Sequence, residues 1–265
     1  MARHNYVSLI GSVVSAPRIV DLEESQRATM TLKVIKGDRD SHDGDIQLKV
    51  TYPIIISLNK HMVEIMSKLQ PNDIVIVKGN LITATVDKGY KACPYCDSEN
   101  IFPGLITYVN PIDILVHKQN IEDPKEALKI ILENKEFSNE VCVIGHLCTP
   151  PEQVATLKSV PVVQYKLGIP RKFRIKEDPL NVKSDFPYIK SFGQNAIDDL
   201  DNLKTGSTVL IDGYLQARKF PKKIECSNCG KTYEDKDTAL EIVTYHTEYL
   251  RHCKHDDEED DDATS

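Results

Sequence analysis

Four cysteines stand in two Cys-x-x-Cys pairs that lie far apart in the chain. The first pair is Cys93 and Cys96 in "ACPYCD", and the second is Cys226 and Cys229 in "ECSNCG". A structural zinc ion needs four ligands, and each pair supplies two thiolates at the spacing of a zinc knuckle. We therefore expect the two pairs to hold one structural zinc ion per chain. Unligated surface thiols and a redox Cys-x-x-Cys motif are the alternatives.

The two pairs can meet only if folding brings distant parts of the chain together. The sequence contains an internal repeat that places the two pairs at equivalent positions. The segments "NYVSLIGSVVSAP" (5–17) and "NEVCVIGHLCTPP" (139–151) differ in number by 134 (139 minus 5). Gly79 and Gly213 keep this offset (213 minus 79), and the cysteine pairs differ by 133 (226 minus 93). A period of this length indicates a duplicated domain. If the two copies associate about a pseudo-twofold axis, equivalent loops can meet at that axis and close one site.

Each copy shows the same predicted order of elements: three strands, a short helix, a strand marked by glycine, a loop and a last strand. This order is typical of the OB-fold, a five-stranded Greek-key barrel, so the predicted fold class is all-β dominated. The predicted domains are an OB-fold at 1–118 with a cysteine loop, a connecting helix at 119–138, a second OB-fold at 139–254 with its own cysteine loop, and a disordered acidic tail at 255–265.

The net charge of -7 comes entirely from one short segment near the end of the chain. Residues 256–262, "DDEEDDD", hold 7 acids, so the other 33 (40 minus 7) balance the 33 Lys and Arg. Such a tail is either a solubilising extension or an interaction tail that competes with a ligand. The chain shows no signal peptide and no apolar run of membrane length, so we expect a cytosolic protein in which cysteines stay reduced.

The second copy interleaves cations with aromatic rings, a combination that suits sequence-tolerant binding of single-stranded nucleic acid. The three segments concerned are "PRKFRIK", "DFPYIKSFG" and "ARKFPKK". The candidate nucleic-acid-binding residues are Arg171, Lys172, Phe173, Arg174, Lys176, Phe186, Tyr188, Lys190, Phe192, Arg218, Lys219, Phe220, Lys222 and Lys223. Some of these rings could instead be core residues, above all Phe192. Because the first copy has acids where the second has bases, we expect the second to be the main binder.

The other cysteines and histidines are read mainly as structural residues. Cys142 and Cys148 fall in the predicted strand "VCVIGHLC" and are interpreted as small core residues, with His146 as a satisfied structural histidine. The segment "RHCKH", with Cys253 between His252 and His255, offers rival metal ligands but adjoins the acidic tail.

The second copy resembles the bacterial single-stranded DNA-binding protein (SSB) family. The segment "DFPYIKSFGQNAIDDLDNLKTGSTVLIDGYLQARKF" is similar to that family's stretch from third strand to fourth strand, and "NEVCVIGHL" is similar to its opening strand. The resemblance is clear over Asn139 to about Leu250 and weak over Asn5 to about Lys118. It implies that DNA bases stack on the aromatic rings of Phe173, Phe186, Phe192 and Phe220.

The resemblance also has departures and implications for assembly. Most members of the family carry one OB-fold per chain and form tetramers, so a duplicated chain would need only a homodimer to present four. Cysteine knuckles are not typical of the family, and Trp, common on its binding surface, is absent from this chain. The terminal "DDDATS" lacks the hydrophobic end with which the family recruits partner enzymes, although the acidic tail could still compete with DNA.

The sequence therefore predicts a non-enzymatic protein that coats single-stranded DNA during replication, recombination or repair, including that of a phage or mobile element. We find no nucleophile-base pair, phosphate-cradling loop or carboxylate pair with catalytic spacing. One alternative is an OB-fold assembly protein, a scaffold for a replication or conjugation complex. The other is an RNA-binding OB module, because base stacking discriminates poorly between RNA and DNA.

Overall fold

The computed structural model describes residues 4–23, 25–36, 50–134, 138–157, 159–171 and 182–254. These residues form a mostly β structure in two halves, so the predicted all-β fold class is confirmed. The strands of the first half are β1 (His4–Val13), β2 (Arg18–Asp21), β3 (Gln26–Ile35), β4 (Val50–Thr51), β5 (Ile54–Ser57), β6 (Ile74–Tyr90) and β7 (Asn100–Lys118). Those of the second half are β8 (Asn139–Leu147), β9 (Glu152–Leu157), β10 (Val160–Pro170), β11 (Ser184–Asp185), β12 (Tyr188–Phe192), β13 (Thr208–Glu225) and β14 (Thr232–Arg251).

The helices are short and occupy equivalent places in the two halves. Helix α1 (Lys60–Ser67) precedes β6, and α3 (Gln194–Asn202) precedes β13. Helix α2 (Pro124–Glu133) joins the halves; Asp123 caps it by accepting a hydrogen bond from the backbone N–H of Lys125, and proline occupies the first turn. Among the described residues, no helix has the length and apolar character that crossing a membrane requires.

Strand pairing closes each half into a five-strand cycle. In the first half β1 pairs with β3, β3 with β5, β5 with β7 in parallel, β7 with β6, and β6 with β1. In the second half β8, β10, β12, β14 and β13 pair in the same order, and β12 and β14 are again parallel. Both halves thus have the Greek-key order that the sequence predicts, with the helix between third and fourth main strands.

The halves join through an antiparallel pairing of their first strands, β1 and β8. Val7 lies opposite Val141, and Leu9 lies opposite Asn139. The side chains of Val7, Leu9, Val141 and Val143 are buried in a single apolar cluster that contains residues of both halves. Because this shared core would be exposed to water if the halves separated, the hydrophobic effect holds their relative orientation.

Two predictions about single residues of the segment "VCVIGHLC" come out differently. His146 is confirmed as a satisfied structural residue, because its Nδ1 lies 2.9 Å from Thr208 Oγ1. The prediction that Cys148 is a core residue is wrong: β8 ends at Leu147, and the thiol of Cys148 is exposed beyond it. Cys142 is partly buried, and burial raises the pKa of its thiol.

Candidate nucleic-acid interface and metal centre

A pair of exposed aromatic rings lies on the face of the second half formed by β10 and β12. Phe186 and Tyr188 are each 39% exposed. Lys166 on β10 pairs in register with Tyr188, and its Nζ lies 5.7 Å from the ring centroid of Phe186 and 5.9 Å from that of Tyr188. Two rings beside one cation provide a stacking platform and a contact for phosphate. Sequence reasoning missed Lys166, whose position opposite Tyr188 depends on strand register.

A second aromatic and cationic group lies along β13. The ring of Phe220 is partly exposed, and the guanidinium carbon of Arg218 lies 5.1 Å from its centroid. Arg218 also makes an ion pair with Glu241 at 3.1 Å, while its side chain stays 42% exposed. Lys219 and Lys223 are exposed on the same strand. Alternation along the strand puts Arg218 on the same face as Phe220 and puts Lys219 and Lys223 on the opposite face. Their part in binding stays a prediction.

Three cations that the sequence placed on the binding surface form ion pairs with carboxylates of the protein. Arg171 is buried and contacts the fully buried Asp185, with Nε at 2.7 Å and Nη2 at 2.8 Å from its carboxylate oxygens. Lys190 is buried with Nζ 3.1 Å from Glu241. Lys222, about one-third exposed, contacts Asp237 at 3.3 Å. Alternation along β12 predicted an exposed Lys190, but the carboxylate from β14 covers it.

The remaining predicted positions are only partly covered by the structure. Phe192 is half-buried at the end of β12. Lys172, Phe173, Arg174 and Lys176 lie outside the described residues and remain predictions.

The first half has an equivalent face with different chemistry. Tyr52, at the position of Phe186 (186 minus 134), is 48% exposed. Thr31 pairs with Ile54 as Lys166 pairs with Tyr188, so the cation and second ring are replaced by a hydroxyl and an aliphatic side chain. Tyr52 borders a cleft of about 270 Å³ that also touches Lys88 and Tyr90 of the first half and Leu240 of the second.

The four predicted cysteines meet at the tips of two long hairpins, β6–β7 and β13–β14. Their Sγ atoms all lie within 4.8 Å of one another, with 3.7 Å between Cys93 and Cys229 and 3.6 Å between Cys96 and Cys226. A tetrahedral zinc with Zn–S bonds of about 2.3 Å separates its sulfurs by roughly 3.8 Å. The four thiols and the spacing of their sulfur atoms fit a structural metal ion. Among the described residues, this is the group of Cys, His, Asp or Glu side chains that could hold one.

Both cysteine turns have the same backbone conformation. The N–H of Asp97 donates to the carbonyl of Cys93, and the N–H of Gly230 donates to the carbonyl of Cys226. Asp97 and Gly230 are 133 apart (230 minus 97) and both have positive φ, 60° and 69°. A hydrogen bond with the side chain of Ser98, supported by backbone N–H groups, lowers the pKa of Cys226 to about 5. A lowered thiol pKa favours the thiolate, the form that ligates metals, at Cys226. Burial and hydrogen bonds with the neighbouring cysteines instead raise the pKa of Cys229.

The hairpins are also joined by polar contacts below their tips. Tyr233 donates its hydroxyl to the carbonyl of Lys91 at 2.7 Å, and Asn100 donates to Tyr233 at 3.1 Å. Lys88 makes a partly buried ion pair with Asp237 at 2.8 Å. Burial alone would raise the pKa of Asp237, but the hydrogen bond and charge of Lys88 lower it below its usual value.

Comparison with known proteins agrees with this geometry. Residues 138–248 match the model of the single-strand binding protein family. A single-stranded DNA-binding protein of Aquifex aeolicus is 28% identical over 85 residues, 32% of this chain and 58% of that protein. Single-stranded DNA-binding protein 1 of Chlorobaculum tepidum is 32% identical over 105 residues, 40% of this chain and 60% of that protein. The matched regions thus span about three-fifths of these relatives.

Solved structures show the same fold over nearly the whole chain. The wild-type single-stranded DNA binding protein from Thermus aquaticus aligns with a TM-score of 0.60 and 16% identity, covering 95% of each chain. A variant of that protein gives a TM-score of 0.62, with 95% of this chain and 97% of the other covered. Residues 138–248 are therefore similar to the single-strand binding protein family, as predicted, and 95% of the chain shares the fold of the Thermus aquaticus protein.

Proposed function

We propose that this protein binds single-stranded DNA without sequence specificity and coats it, with no catalytic step. The observation that carries this proposal is the exposed ring pair of Phe186 and Tyr188 beside Lys166, on the half that matches the SSB family. Stacking on aromatic rings tolerates any base, and cations along the strands contact phosphates. The coated strand would serve replication, recombination or repair in the cytosol, including that of a mobile element.

Fluorescence anisotropy with labelled oligo-dT of graded length tests this proposal, with duplex DNA and RNA of matched length as competitors. We expect affinity to fall with salt at a log-log slope of about -0.7 per phosphate neutralised, and duplex to compete poorly. Equal affinity for duplex and single strand would contradict the proposal. Preference for RNA would instead support the RNA-binding alternative.

We further propose that the four cysteines hold one structural zinc ion that ties the two hairpin tips together. The spacing of the sulfur atoms and the all-thiolate donor set support zinc. The hairpins belong to different halves, so a bound ion adds a link far from the β1–β8 junction. It would restrict how the halves move against each other without taking part in DNA binding.

The assembly proposed for this chain is a homodimer in which two chains present four OB-fold units, two from each. Its support is the SSB resemblance together with exposed apolar side chains on β7, Ile112 and Leu115. Analytical ultracentrifugation of the purified chain tests this, and a monomer at micromolar concentration would contradict it. The acidic residues 256–262, outside the described part, are proposed to compete with DNA for the cationic surface.

A further inference from the structure

The backbone of Phe186 is held by a residue from the other half of the protein. Its N–H donates to Oγ1 of Thr83 at 2.9 Å, although 103 residues separate the two. Thr83 is buried on β6 of the first half, and Phe186 stands between β11 and β12 of the second. An exposed ring of the proposed DNA surface is therefore attached, through its own peptide group, to a strand of the opposite half.

A second contact makes the attachment reciprocal. The N–H of Thr83 donates to Oδ1 of Asp185 at 2.8 Å. Asp185 and the next residue, Phe186, which carries the ring, are therefore both hydrogen-bonded to Thr83. Asp185 is fully buried and receives two further hydrogen bonds from Arg171. Two hydrogen bonds to one residue fix both the position and the direction of the 185–186 peptide, and a neutralised carboxylate keeps them in place.

The same crossing occurs in the opposite direction, which indicates that it belongs to the architecture. The N–H of Ala217 donates to Oγ1 of Thr51 at 2.7 Å. Thr51 is the equivalent of Asp185 (185 minus 134), and Ala217 is the equivalent of Thr83 (217 minus 134). Ala217, however, has no hydroxyl with which to accept the N–H of Tyr52. The side-chain brace is thus a feature of the Phe186 face.

We propose that Thr83 is a positioning residue for single-stranded DNA: its hydroxyl holds Phe186 in the orientation in which a base can stack. The inference rests on the proposed function of the Phe186 face. It gives the first half a role in binding that needs no contact of its own with DNA. A stacking ring whose backbone is fixed in advance loses less conformational entropy when a base binds.

The test compares Thr83→Val, which removes the hydroxyl at nearly constant volume, with Thr83→Ser, which keeps it. Anisotropy with labelled oligo-dT should show about a 3- to 10-fold weaker affinity for Thr83→Val, the range of one net hydrogen bond. Thr83→Ser should stay within about twofold of the wild type. Thr85→Val, at an exposed position two residues along the same strand, is the matched control and should change nothing.

A double-mutant cycle separates positioning from a general loss of structure. In the Phe186→Ala background, Thr83→Val should cause no further loss of DNA affinity, because the ring that it positions is gone. An equal loss in both backgrounds would overturn the proposal, and so would unchanged affinity of Thr83→Val. Should Thr83→Val fail to fold, Thr83→Ala enters the same cycle. If the wild type and Phe186→Ala both fail to bind oligo-dT, the proposed function itself is wrong.

Discussion

Val7 of β1 lies directly opposite Val141 of β8, and these two residues are equivalent positions of the repeat (141 minus 7 is 134). The flanking pairs are reciprocal: Asn5 lies opposite Val143, and Leu9 lies opposite Asn139. A pseudo-twofold axis therefore passes between Val7 and Val141. This single relationship explains why the equivalent cysteine turns and the equivalent crossing contacts occur in symmetric pairs.

Metal analysis of the purified chain should give about one zinc ion per molecule. Cys93→Ser should remove most of this zinc and lower the free energy of unfolding by several kcal/mol. The upper bound is on the order of 10 kcal/mol, the contribution of structural zinc to the folding of isolated small domains. Inductively coupled plasma mass spectrometry and thermal unfolding measure the two effects. Cys148→Ser, at an exposed thiol outside the cluster, should leave both unchanged. Well under one zinc per chain in the wild type would contradict the metal site.

Removing the ring of Phe186 or of Phe220 should weaken binding to single-stranded DNA. Phe186→Ala and Phe220→Ala should each lower the affinity for oligo-dT by about 5- to 150-fold, because one stacked base contributes about 1–3 kcal/mol. Isothermal titration calorimetry or anisotropy measures the change. Ile197→Ala, at an exposed apolar residue of α3, is the control and should keep wild-type affinity. If affinity survives both aromatic substitutions, the assigned surface is wrong.

Single tryptophan reporters should show that the two halves bind unequally. The chain has no Trp, so Phe186→Trp and Tyr52→Trp each place one fluorophore at equivalent positions of the two faces. We expect short oligo-dT to quench the fluorescence of the Phe186→Trp variant, because the face of the second half has Lys166 beside this position. Only longer oligomers should quench the Tyr52→Trp variant. Quenching of both at the same length would show equal roles for the halves.

The ion pair between Lys88 and Asp237 should make stability depend on pH in acid. Lys88, Tyr90 and Lys222 surround Asp237, and the net result is a lowered pKa for its carboxyl group. A carboxyl group whose pKa is lower in the folded state than in the unfolded state stabilises the fold at pH values above its unfolded pKa, about 3.9. This contribution is lost as the pH falls through the pKa of the folded state.

Asp237→Asn should therefore destabilise the protein at pH 7 by roughly 1–3 kcal/mol, since it leaves a partly buried lysine without its counter-charge. The difference from wild type should shrink as the pH falls below about 4. Urea unfolding across pH 3–7 measures it, with the exposed neighbour Asp87→Asn as the control. A difference that does not vary with pH would exclude this ion pair as its source.

Deleting residues 255–265 should strengthen DNA binding at low salt. The segment contains the 7 consecutive acids of the chain, and a local anion competes with phosphate for the same cations. The gain should disappear at high ionic strength because exposed charges are then screened. Anisotropy titrations at low and high salt compare the two proteins, and an unchanged low-salt affinity would make the tail a solubilising extension.

Much of the fold and the four-cysteine cluster could be predicted from the sequence. The offset of 134 between Gly79 and Gly213 indicated a duplication, and alternating apolar residues indicated strands. The meeting of Cys93 and Cys96 with Cys226 and Cys229 followed from these facts, because equivalent loops of a duplicated domain approach a common axis. The aromatic residues of "DFPYIKSFG" were found by their composition and by resemblance to the SSB family.

Other features had no local signal in the sequence. Arg171 and Lys190 looked like surface cations, but carboxylates from Asp185 and Glu241 bury them. The pairing of Lys166 with Tyr188 depends on strand register, and the contact of Thr83 with Phe186 joins the two halves. Periodicity reports which side of a strand a residue occupies, whereas it carries no information on what packs against that side.

By itself, then, the sequence determined the duplication, the order of strands and helices, and the members of the four-cysteine cluster, because these depend on local patterns and on a repeat. Only the tertiary structure decided which cations remain at the surface and which residues brace the exposed rings. The reason is physical: burial and ion pairing are set by side chains such as Thr83 and Asp185, 102 residues apart, that folding brings together.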